Sequence, residues 1–130
     1  MKLDNVFGIH EQALKLRSRR AELLAGNLAN ADTPGFKARD FDFRQALKGE
    51  MARPVTLEKT HRNHISTTAA AGSSPFRLLY RVPGQPSLDG NTVDTQLEKS
   101  AFSVNAMEYQ ASLRFLGGKI EGLKRAIRGE

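Results

Sequence analysis

The chain has 130 residues, enough for one domain, with 39% hydrophobic and 26% charged residues and a formal net charge of +6. It has no cysteine, which excludes disulfides, thiolate metal sites and a cysteine nucleophile. It also has no tryptophan and few other rings, which argues against a large aromatic-lined pocket.

The N-terminus, Met1 to Val6, lacks the apolar core of a signal peptide, and no stretch approaches the roughly 20 apolar residues of a membrane span. The sequence therefore reads as soluble, with either a cytoplasmic address or export without a cleaved signal. Basic residues gather at Lys15, Arg17, Arg19 and Arg20, and again at Lys119, Lys124, Arg125 and Arg128. A solvated helix face explains both groups, the second being favoured by a helix dipole. Attraction to nucleic acid or acidic lipid is the rival explanation, and no recognisable nucleic-acid-binding motif accompanies the charge.

The first helix is expected over about residues 5–32, capped by Asp4 or Asn5. Along it Phe7, Leu14, Ala21, Leu24, Leu28 and Ala31 follow a four-three spacing, with His10 and Arg17 filling two places. Thr33-Pro34-Gly35 stops it, because proline excludes helix from the residue before it and glycine accepts the turn. Asn27 and Asn30 weaken the helix interior, so they either fray its end or bond to a partner segment.

Residues 33–90 are expected to be turn, loop and short strands. Phe41 and Phe43 alternate with Asp40 and Asp42, a period-two pattern that puts the acids on the opposite side. Gln45 to Met51 suits one or two helical turns, and Phe76 to Val82 a strand. The stretch 52–88, rich in proline, glycine and small residues, reads as loop.

The last helix is expected to begin between Asn91 and Thr95 and to reach Arg128, so that 91–128 forms the C-terminal element. Thr95-Gln96-Leu97-Glu98 fits a capping box. Phe102, Ala106, Tyr109, Leu113, Leu116, Ile120, Leu123 and Ile127 then step by four and three. Gly117, Gly118 and Gly122 each weaken the helix by about 1 kcal/mol relative to alanine, and allow close approach of another backbone. The resulting fold is mostly α: two long terminal helices in an antiparallel coiled-coil-like pair, with a partly extended, loop-rich middle, in one domain over 1–130. Its apolar residues sit mainly in the terminal stripes, so the core should be long and thin.

Chemistry is hard to find. His61 and His64, with Glu58 nearby, are a surface pair lacking a complete ligand set. There is no nucleophile elbow or phosphate-cradling glycine loop, and no carboxylate constellation singles out an acid and a base. The expectation is no catalytic residue, no metal, no cofactor and no small-molecule substrate.

Two segments are denser in turn-forming and amide residues than a plain linker: Asn27 to Phe36 and Gln85 to Asp94. The first, with Asn27, Asn30, Asp32, Thr33, Pro34, Gly35 and Phe36, resembles the N-terminal signature of the bacterial flagellar rod and hook family. The second, through Asp89, Gly90, Asn91, Val93 and Asp94, together with the short length, is similar to its proximal-rod members. The resemblance implies a structural subunit exported by the flagellar type III apparatus without a cleaved signal, polymerising in the periplasm into the rod that transmits torque. It implies as partners the chain itself, other rod proteins, and inner-membrane ring and export-gate components, with no nucleic acid. It also implies that the asparagine-rich segment makes subunit contacts. The stripe residues Leu14, Leu24, Leu28, Tyr109, Leu113, Leu116, Ile120, Leu123 and Ile127 are the expected helix interface. A basic nucleic-acid-binding helical protein is the alternative, and a cytoplasmic export adaptor a third reading.

Overall fold

A computed structural model describes residues 4–52 and 76–129. His61, His64 and Glu58 lie outside the described residues, as do the side chains of Asp4 and Asn5 and residues 53–75 of the stretch expected to be loop. Helix α1 spans Asp4–Ala29, strand β1 Arg39–Asp40, helix α2 Phe43–Met51, strand β2 Leu79–Tyr80 and helix α3 Thr95–Arg128. At about 1.5 Å per residue, α1 is about 39 Å long and α3 about 51 Å.

The two long helices pack against each other and run antiparallel. Asn27 of α1 meets Glu98 near the start of α3, while Arg17, ten residues back along α1, meets Asn105 and Glu108. This is the expected helix pair. The extended middle is smaller than the sequence suggested: β1 and β2 pair antiparallel over two residues each, Arg39 opposite Tyr80 and Asp40 opposite Leu79.

The period-two reading of residues 40–43 fails after the strand. Asp42 turns the chain by capping α2, its carboxylate accepting from the Gln45 N–H at 3.0 Å, and Phe43 is already helical. Asp40, placed by that pattern on the side opposite Phe41, is buried as well, because it has two arginines to neutralise it. The capping box is not formed either. Asp94 caps α3, accepting from the N–H groups of Gln96 and Leu97, while the Glu98 side chain turns into the helix seam. A better cap one residue upstream releases Glu98 for another partner. At its far end α3 closes on Gly129, whose left-handed backbone (φ 76°) lets its N–H reach the Arg125 carbonyl.

Leu24 of the α1 stripe is fully buried, but the apolar cluster lies outside the stripes. Leu16, Phe41 and Ala46 form it, with Leu23, Phe43, Leu47 and Phe76 packed around them. The rings of Phe41 and Phe76 stack at 4.2 Å. The core therefore lies between α1 and the α2–strand layer, on one side of the helix pair.

Candidate assembly interface

Helical spacing shows what the other side carries. Phe7, Leu14, Ala21 and Leu28 are seven residues apart and share one line on α1, whereas Leu16 and Leu23 lie about 150° around from Ala21. Since Leu16 and Leu23 pack on the α2–strand layer, the heptad line faces away from it. On α3 the same side carries Phe102, Ala106, Leu113 and Ile120. The two lines meet in a cleft of about 260 Å³ between the helices, walled by Ser18, Ala21, Phe102, Ala106, Tyr109 and Gln110, among others. The two predicted stripes thus border one cleft; on its α3 side Phe102 and Leu113 are exposed, while Phe7, Leu14, Ala21 and Leu28 of α1 are half-buried.

Exposure supports this division. On α1, Leu24 is fully buried, and Leu14 and Leu28 are half-buried. On α3, Tyr109, Leu116 and Leu123 are half-buried, while Leu113 is 45% exposed, Ile120 is exposed and Ile127 is 85% exposed. Another line of α3 exposes Leu97, Val104 and Phe115 as well. A helix bare on this scale needs neighbours, since burying one large apolar side chain contributes about 1.5–3 kcal/mol.

The seam between the helices is polar, which sequence reasoning missed. Asn27 is buried and uses its side chain three ways: Nδ2 donates to the Arg39 carbonyl (2.8 Å) and to Glu98 Oε2 (3.1 Å), and Oδ1 accepts from the Arg39 N–H (3.1 Å). The asparagine thus pairs with β1 as another strand would. Glu98 is 0% exposed and carries Arg81 Nε 2.6 Å from its Oε1, an ionic contact whose N–H is not aligned for a hydrogen bond. Arg81 also donates to Asp40 at 3.0 Å, and Arg20 grips Asp40 with two bonds of 2.9 and 3.0 Å. The hydrogen bond to Asp40 raises the Arg20 guanidinium above its ordinary pKa, against the lowering by burial. Further along, Asn105 donates to the Arg17 carbonyl at 2.9 Å, and the Arg17 guanidinium bridges Glu108 and the Phe43 ring. The carboxylates look scattered in the sequence because their arginines come from other elements.

The two motif segments come together. The Gly35 N–H donates to the Asp89 carbonyl at 2.9 Å, and the Thr92 N–H to the Phe36 carbonyl at 3.0 Å. Asn91 Nδ2 lies 2.8–3.0 Å from the carbonyls of Asn30, Ala31 and Thr33, in the turn that follows α1. Gly35 (φ 71°) and Gly90 (φ 76°) take the left-handed turns that this contact requires. Asn27 and Asn91 are buried, Asn30, Phe36 and Val93 are half-buried, and Asp32, Thr33, Pro34, Asp89 and Asp94 are exposed. The asparagines therefore fold the subunit head instead of fraying it.

Among the described residues no group of three or more His, Cys, Asp or Glu side chains could hold a metal ion, and no described helix is long and apolar enough to cross a membrane. The described residues thus build a polar-locked helix pair that leaves apolar lines of α3 exposed. The Flagella basal body rod protein family matches residues 7–37. The flagellar basal body rod protein FlgB of Aeromonas hydrophila is 48% identical, over 100% of this chain and 98% of that protein. Its counterparts from Salmonella typhimurium and Escherichia coli are 47% and 44% identical, each over 98% of this chain and 96% of their own length. The chain belongs to the FlgB family of flagellar basal body rod proteins, and is a structural subunit of the flagellar rod. These relationships lend no support to the nucleic-acid-binding alternative.

Proposed function

We propose that the chain is built into the proximal rod through the apolar lines of α1 and α3 that border the cleft, with copies of itself and other rod proteins as neighbours. The observation that carries this reading is the exposure of the α3 stripe at Leu113 although α1 lies alongside, continued at Ile120 near the N-terminal end of α1 and at Ile127 beyond it. One antiparallel partner covers one side of a helix, and the remaining apolar side is available to another subunit. The motif segments then act indirectly, by holding the head from which both helices run.

At the rod base the ring and export-gate components are its neighbours, and the subunit reaches the periplasm through the flagellar type III apparatus without a cleaved signal. It works as part of a torque-transmitting shaft and not as an enzyme. Its helix ends become fully ordered only when neighbours cover the stripes, because ordering entropy must be offset by burial.

Leu113→Asp and Ile120→Asp, on the exposed line, test the interface in cells. Each variant should be exported normally yet fail to build rods, giving non-motile cells. Normal swimming by both would overturn the assignment.

A further inference from the structure

The assembly interface leaves the second basic group, at the far end of α3, without a role. α3 outruns α1: Asn27 meets Glu98 and Arg17 meets Glu108, so the antiparallel register carries Asp4, where α1 begins, opposite about residue 120 of α3. Past that point α3 projects beyond the described start of α1, with Ile127 85% exposed. Between residues 114 and 128 it carries five cations and one acid, Glu121. A helix dipole favours Arg125 and Arg128 in the last turn, but not Arg114 or Lys119 further back. Their arrangement is the informative part. Leu116, Ile120, Leu123 and Ile127 fall within an arc of about 60°, with Lys119 and Lys124 about 40° outside its two edges. Arg114, Arg125 and Arg128 stand away from the arc with Glu121, and all of these charged residues are exposed.

We propose that in the unassembled chain this end of α3 lies on an anionic lipid surface, its apolar arc in the headgroup boundary and its cations against lipid phosphates. A narrow apolar arc edged by lysines and backed by arginines is the pattern of a helix that lies on a membrane without spanning it. Lysine stems bury along the apolar boundary while their ammonium groups stay at headgroup level. Each cation held near such a surface strengthens binding roughly fivefold. Nucleic acid would take the cations but leave the apolar arc in water. A neighbouring subunit would cover the arc without needing the cations. An anionic lipid surface answers both. The contact is exchanged for a neighbouring subunit when the chain enters the rod, so it precedes the proposed assembly and does not replace it.

Flotation of the purified full chain with vesicles tests this, with circular dichroism as a check on the fold. Vesicles of equimolar phosphatidylcholine and phosphatidylglycerol should bind the chain at least about tenfold more tightly than vesicles of phosphatidylcholine alone, a difference that shrinks at about 0.5 M salt. Lys124→Gln with Arg128→Gln should weaken binding to the anionic vesicles on the order of twentyfold. Lys15→Gln with Arg19→Gln removes the same charge from α1, where both side chains pair with Glu11 and Glu22, and should change binding less than about twofold. Equal loss in the two variants would make net charge the attraction and overturn the assignment to this helix end. Ile127→Gln keeps the charge and should still weaken vesicle binding about tenfold. Unweakened binding by Ile127→Gln overturns the proposal, as does tighter binding of the native chain to duplex DNA than to the anionic vesicles. Leu113→Asp, alongside α1, should leave vesicle binding intact although it blocks the rod. Loss of vesicle binding there would place both effects on one face and overturn a separate lipid contact.

Discussion

Asn27 and Glu98 meet across the α1–α3 seam, both buried, with Nδ2 3.1 Å from the carboxylate. The contact joins the end of the first helix to the start of the second. Because Asn27 also bonds both backbone groups of Arg39, it fixes β1 to the same point. Removing the carboxylate would leave Arg81 and Asn27 buried without their shared partner. Glu98→Ala should therefore destabilise the chain by about 3 kcal/mol, read by urea unfolding. Glu98→Leu with Arg81→Met should recover most of that loss, since replacing a buried pair with apolar volume is often neutral. Equal loss in the single and double variants would show that the pair is not the source.

Asn91 is the second joint. Asn91→Ala removes the donor shared by three carbonyls in the turn after α1 and should cost about 1–3 kcal/mol. Amide exchange should quicken around residues 28–33 more than in the middle of α3. Asn91→Asp should be worse than alanine, because it places negative charge at the negative end of a helix.

The glycines divide into two groups with opposite outcomes. Gly90→Ala meets a left-handed backbone at φ 76° and should lose about 1–2 kcal/mol. Gly118 is helical, and a Cβ added there would meet nothing within 4 Å, so Gly118→Ala should stabilise the isolated chain by about 1 kcal/mol. If neighbouring backbones approach this part of α3 in the rod, the same substitution will impair motility despite the gain. Thermal melting beside a swimming assay reads both effects.

The head loop should respond to acid. The Ser87 hydroxyl donates to Asp89 at 2.5 Å and the Asn91 N–H at 3.0 Å, and these bonds, the hydroxyl first, hold the carboxyl below its ordinary value of 3.8. A depressed pKa in the folded state favours the ordered loop above pH 3.8, and that advantage disappears as pH falls through the lower folded value. Ser87→Ala should raise the Asp89 titration towards 3.8, as followed by carboxyl carbon shifts. An unmoved titration would show that the hydroxyl bond does not form in solution.

The sequence by itself determined the helices, the stop between them and their apolar lines, because those depend on near neighbours. Pro34 and Gly35 act on the chain where they stand, and a heptad line needs only regular spacing. The local signals misled only where a residue had two available roles. Glu98 fitted a capping box and Asp40 the strand side opposite Phe41, yet both went to arginines elsewhere in the fold. Their partners are 20 to 41 residues away for Asp40 and, for the Glu98 bond to Asn27, 71 away. No local pattern encodes such distances. Tertiary structure alone decided that the seam would be polar, that the core would lie under α2 and the strands, and that the two apolar lines would border one cleft. A buried charge goes where its counter-charge and desolvated hydrogen bonds can be met together, and that place exists only once the helices have paired.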